Sequence, residues 1–163
     1  MTDISETLAP KSDQLDAIEL EPGPRIFQIA QVDVHKGSEQ PVSIHLVGFP
    51  RVWRPSKTQR RLLANRKIWN TTDGKAWVGR WVELTYDPSI KYAGEAVGGI
   101  VVSRVSDIEK PQEVRLPASQ TTTKLWRVAP LPLADILRAE WKTADPDRRK
   151  AIEAQVTELE VKA

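Results

Sequence analysis

Hydrophobic and polar positions alternate with the period of a strand in several stretches of the chain. Residues 25–35, RIFQIAQVDVH, read as a strand in which Val32 and Val34 alternate with Gln31 and Asp33. KGSEQP, 36–41, supplies turn chemistry, and PVSIHLVG, 41–48, alternates again. There Val42, Ile44 and Leu46 share one face, and Ser43, His45 and Val47 the other. The pair predicts a long antiparallel hairpin. A short third strand follows over Arg51 to Arg54. WVGRWVELTYDP, 77–88, is the clearest strand, with Val82, Leu84 and Tyr86 alternating against Trp81, Glu83 and Thr85. Gly94, Gly98 and Gly99 surround a turn, and GGIVVSRVSDI, 98–108, reads as one more strand. Residues 109–124 are polar and without clear periodicity, and LWRV, 125–128, reads as a short strand closed by PLP at 130–132.

Three segments carry helical spacing. Pro55 stops the third strand and Ser56 is a good N-cap, with Gln59 completing an S-x-x-Q capping box. That helix is expected to run to about Trp69, with Leu62, Leu63 and Trp69 towards a core. Lys57, Arg60, Ala64 and Lys67 fall on a neighbouring face. A second helix spans Leu133 to about Trp141, and TADPD breaks it. Asp145 as N-cap with Pro146 at the first helical position starts a third, whose Ile152, Val156 and Leu159 form one stripe.

The order strand, strand, strand, helix, strand, strand is that of an OB-fold. The expected class is mainly β (α+β): an OB-like five-stranded Greek-key barrel with one helix between strands three and four. A C-terminal helical extension follows. The organisation is an acidic flexible arm over 1–24, the barrel over 25–128 and the extension over 129–163. Five short strands and a helix also fit other small β-rich domains.

Charge sharpens this picture. The 163 residues carry a formal net charge of only +2, but unevenly. Residues 1–24 hold six Asp or Glu against one Lys, and residues 25–92 hold twelve Lys or Arg against five Asp or Glu. An acidic segment ahead of a basic middle fits a polyanionic partner. The basic run RVWRPSKTQRRLLANRK, 51–67, has seven cations and no acid. Arg51, Arg54, Lys57, Arg60, Arg61 and Lys67 are the candidates for phosphate contacts. Trp53, on the third strand, is the preferred residue for stacking on a base, and Trp81, which alternates away from Val82 and Leu84, is the second. Core packing is the competing role for any tryptophan, and a solvated helix face for the cations.

SKTQRRLL (56–63), WVGRWVELTYDP (77–88) and YAGEAVGGIVVS (92–103) together resemble a group of small phage and prophage proteins. These combine a Ser-Lys-x-x-Arg helix start, a Trp-x-Gly-Arg/Lys strand and a Gly-x-x-Val-x-Gly-Ile hairpin. APKSDQL (9–15) and EQPVSIH (39–45) are similar to the same group, so the resemblance covers roughly residues 9–108. It implies an OB-like fold and single-stranded DNA binding in phage recombination or replication.

Catalysis is not expected. The chain has no cysteine, which excludes disulfides, thiolate zinc sites and a cysteine nucleophile. His35 and His45 are the only histidines, and Asp33 is placed to orient one of them, too little for a triad or a metal site. The glycines at 94, 98 and 99 form neither GxGxxG nor a P-loop. No zinc finger, basic zipper or helix-turn-helix signature favours base readout. No cofactor is expected. No apolar run approaches the ~18 residues of a membrane span, and the polar N-terminus lacks a signal-peptide pattern. The expected setting is the cytoplasm, that of the host bacterium if phage-encoded. The expected partner is single-stranded DNA, or RNA. The alternative is a protein-binding module whose C-terminal helices dock a phage or host replication or recombination factor. The acidic arm would compete with nucleic acid for the basic face.

Overall fold

The alternation over residues 25–46 produces the hairpin it predicts. β1 (Arg25–Val34) and β2 (Val42–Leu46) pair antiparallel, with Val32 opposite Ile44 and Val34 opposite Val42. The computed structural model describes residues 2–4, 13–92 and 94–162. Beyond the hairpin come β3 (Val52–Trp53), α1 (Lys57–Ala64), the one-turn α2 (Gly74–Trp77), β4 (Trp81–Asp87) and a small β5 (Lys91–Tyr92)–β6 (Glu95–Ala96) hairpin. β7 (Gly99–Val105), β8 (Gln112–Pro117), β9 (Thr123–Pro130), α3 (Leu133–Trp141) and α4 (Pro146–Lys162) complete the chain.

The fold is α+β. Seven strands form one mixed sheet in the order β3-β2-β1-β4-β7-β9-β8. Neighbours are antiparallel except β7 and β9, which run parallel where Arg104 meets Ala129 and Val105 meets Pro130. The inward row is apolar: Phe27, Ile29, Ile44, Leu46, Val82, Leu84, Val102 and Val105. α1 adds Leu62 and Leu63 to this core, and Trp53, Trp69 and Trp77 complete it.

The sheet is not closed into a barrel, and hydrogen bonding gives the reason. Closure as a five-stranded barrel requires β7 to return to β3. Instead the Val102 N–H of β7 donates to Gln59 Oε1 of α1 at 2.8 Å. The outer edge of β3 is occupied too. Leu15 N–H donates to the Val52 carbonyl at 2.7 Å, and Val52 N–H to the Asp13 carbonyl at 3.3 Å. Beside β7 the sheet continues into β9 and β8. β8 was hidden in the stretch read as aperiodic, because its buried row is only Val114 and Leu116.

Four other expectations change. Residues 13–24 are a seated segment, with Leu15 buried in the core ahead of a 3-10 turn, Ala17–Leu20, and Leu20 buried at its end. The expected arm also includes Met1 and residues 5–12, which lie outside the described residues. α1 ends at Ala64 rather than near Trp69, because Asn65 leaves helical geometry at ψ 144°. The Gln59 side chain serves β7 and not a capping box, although Ser56 Oγ does accept the Gln59 N–H at 3.4 Å. β4 begins at Trp81, since Trp77 belongs to the α2 turn.

The two C-terminal helices fall where their spacing put them. Asp145 Oδ1 accepts the Arg148 N–H at 2.8 Å as the N-cap of α4. α3 lies over the outer face of the sheet near β1, and α4 packs on α3. Among the described residues no helix is long and apolar enough to cross a membrane.

Candidate nucleic-acid interface

α1 turns Gln59, Leu62 and Leu63 into the protein, which leaves Lys57 and Arg61 outward and exposed. The chain then leaves the helix at Asn65, whose Oδ1 accepts the Lys67 N–H at 2.9 Å and so shapes the turn. Arg66 and Lys67 are exposed in that turn. None of these four cations has a carboxylate partner among the described residues. Lys67 Nζ donates to the Glu113 carbonyl of β8 at 3.0 Å, which ties the basic turn to the sheet edge. Arg60 is half-buried, and its Nε is enclosed without a hydrogen-bond partner.

Arg51 and Arg54 stand apart from these. Arg51 is engaged by both carboxylate oxygens of Glu19, donates to the Gln14 carbonyl at 3.1 Å, and lies 5.0 Å from the Phe49 ring centroid. Arg54 forms a two-pronged pair with Asp13 at 2.7 and 3.0 Å, and its Nε donates to Ser43 Oγ at 3.2 Å. The hydrogen bond from Arg54 holds the Asp13 carboxyl below its ordinary range. Burial pushes the Glu19 carboxyl up, but hydrogen bonds from Arg51 and the Asp16 backbone outweigh it and leave it lowered. Two of the six candidate phosphate contacts are thus held by the protein's own acids.

Trp53 is corrected outright. It sits opposite Ile44 in the inward row at 1% exposure, so its ring packs the core and presents no face for stacking. Trp69 and Trp77 are also buried, edge-to-face at 5.6 Å. Their indole N–H groups donate to the Ser106 and Thr71 carbonyls. Trp81 is different. It lies on the outer face of β4, directly opposite Gln28, and is half-buried. It lines a groove of about 600 Å³ between the β1–β4 pair and α3.

The outer face of β8–β9 carries residues that the sequence reading passed over. Glu113 pairs with Arg127 and Arg115 with Leu125, so both arginines stand on one exposed face beside Leu125. The alternation Glu113-Val114-Arg115-Leu116 is the signal for that strand. On the other face Lys124 Nζ sits 4.2 Å from the Trp126 ring centroid.

His45 Nε2 lies 2.7 Å from Asp33 Oδ2 on the hairpin. Hydrogen bonds from Gln31 and then His45 lower the Asp33 carboxyl. Among the described residues no group of three or more His, Asp or Glu is placed to hold a metal ion. The chain matches no family model, and no curated protein or solved structure is similar to it.

Proposed function

We propose that the protein binds single-stranded nucleic acid with little sequence preference and without catalysis. The observation that carries this is the cluster Lys57, Arg61, Arg66 and Lys67: four exposed cations with no acid partner among the described residues. Unpaired cations release counterions when they meet phosphates, a gain that does not depend on base identity. The helix α1 between β3 and β4 supports an OB-like kinship, from which the unclosed seven-stranded sheet departs. The resemblance of residues 9–108 to small phage proteins supports phage replication or recombination, in a bacterial cytoplasm, as the setting. Anisotropy of a labelled oligo-dT and a matching duplex tests the proposal. Tighter binding of the single strand, weakening as salt rises, is the expected result; equal or absent binding overturns it.

A second reading is a protein-binding module, favoured by α4. That helix packs chiefly on α3, and Trp141 at their junction is 37% exposed. Affinity capture with the intact chain and with Trp141→Ala separates this reading from the first. A partner lost with Trp141 while oligo-dT binding persists supports it.

A further inference from the structure

The basic turn explains attraction to phosphate but offers no ring for a base, since Trp53 and Trp69 are buried. The groove beside α3 supplies what is missing. Its floor is the outer face of β1 and β4, where Gln28 and Trp81 are direct cross-strand partners. Gln28 Nε2 donates to the Gly79 carbonyl at 3.1 Å, which fixes the amide beside the groove and leaves its Oε1 with no donor among the described residues. The Trp81 backbone is held on both sides by Ser106, through N–H to Oγ at 2.8 Å and through its carbonyl at 3.0 Å. The indole itself makes no hydrogen bond among the described residues.

The rim is cationic. Lys142 lies exposed there with no carboxylate partner among the described residues, whereas Arg25, opposite Leu84, turns its guanidinium over the Phe27 and Phe49 rings at 4.9 and 5.4 Å, away from the groove. The groove's two acids are already paired: Glu83 with Arg104, and Asp135 with Arg104 at 2.9 Å and Arg138 at 3.3 Å. The far wall is held close by Gly48. At φ +73°, a Cβ on this residue would meet Thr143 Cγ2 at 2.4 Å, so the β2–β3 loop can lie against the end of α3 only with glycine there.

A half-buried indole, an amide beside it and an exposed lysine at the rim form one set of complementary groups. They match a flat ring with hydrogen-bond donors that carries a phosphate. We propose that this groove holds one nucleotide of the bound strand, its base on Trp81 and Gln28 and its phosphate at Lys142. This deepens the single-strand reading and rests on it.

Two measurements on the full chain test the groove. In the first, labelled oligo-dT is titrated by anisotropy against wild type, Trp81→Ala, Trp81→Phe, Lys142→Ala and the double variant Lys57→Ala/Arg61→Ala. Trp81→Ala is expected to weaken binding about 10-fold with the salt slope unchanged, because stacking is not a counterion effect. Trp81→Phe keeps most of the affinity, and Lys142→Ala makes the salt slope shallower by about 0.7. In the second, thymidine monophosphate is added while the indole N–H resonance assigned by its loss in Trp81→Phe is followed. That resonance is expected to shift and to shift less in Lys142→Ala. Oligo-dT binding that falls with Lys57→Ala/Arg61→Ala but not with Trp81→Ala, together with a stationary resonance, overturns the groove and leaves the basic turn standing. Wild-type protein that binds no oligo-dT at low salt overturns both.

Discussion

Gln59 is the residue whose role sequence spacing misassigned most informatively. Three residues after an N-cap serine it reads as a capping partner, yet it is buried at 2% exposure and its Oε1 holds the β7 edge. Gln59→Leu leaves the Val102 N–H without a partner in the interior, at a cost of about 1–3 kcal/mol. The urea denaturation midpoint is expected to fall accordingly with unchanged slope; a midpoint like that of wild type counts against the bond. Glu83 makes the matching point for charge. Burial pushes its carboxyl up, but hydrogen bonds from Arg104 and Ser103 and the Arg104 charge outweigh burial and leave it below its ordinary 4.5. A lowered folded pKa contributes stability that is complete above the unfolded value and is lost as pH falls through the folded one. Unfolding free energy is therefore expected to drop as pH falls below about 4.5. Arg104→Gln is expected to remove about 2 kcal/mol at neutral pH and to flatten that acid limb. An acid limb of wild-type steepness in the variant refutes the pairing. Trp53 shows why single residues were only partly legible: alternation sets which residues share a face, but not which face meets the core.

Elements with strong local chemistry were legible. The β1–β2 hairpin, β4, β7, α3 and the Asp145–Pro146 start of α4 all follow from periodicity and caps. β8 was not, because its buried row is only two residues long, and the seating of residues 13–20 was not, because it depends on contacts with the distant β3. Two predictions belong at this scale. α4 is tied to α3 by Ile152, buried at 1%, and by Arg148–Glu140 and Trp141–Glu153 contacts, with little packing elsewhere. Ile152→Ala is therefore expected to raise hydrogen exchange across α4 while sheet amides stay protected. Loss of protection throughout the sheet shows α4 to be part of one cooperative unit instead. Residues 13–20 hold Arg51 and Arg54 through Glu19 and Asp13. If the seated segment competes with nucleic acid, Asp13→Asn/Glu19→Gln releases two cations. Its salt slope for oligo-dT steepens by about 1.4, at ~0.7 per phosphate on a single strand. An unchanged slope removes these arginines from the interface.

At the scale of the whole molecule, the α+β class and the asymmetry of charge were legible, and the sheet's failure to close was not. Strand count and order describe a closed barrel as well as an open sheet. Here the decision rests on one buried amide acceptor and on an N-terminal segment that occupies the edge a closing strand needs. The same arrangement divides the basic run into two arginines held by acids, the half-buried Arg60, and four exposed cations without an acid partner among the described residues. The central claim is that these four meet phosphates. The most direct test is the salt dependence of oligo-dT affinity for wild type and for Lys57→Ala/Arg61→Ala/Arg66→Ala/Lys67→Ala. Loss of four single-strand phosphate contacts is expected to make the log–log slope shallower by about 3 while thermal stability holds. A folded quadruple variant with the wild-type slope and affinity contradicts the claim.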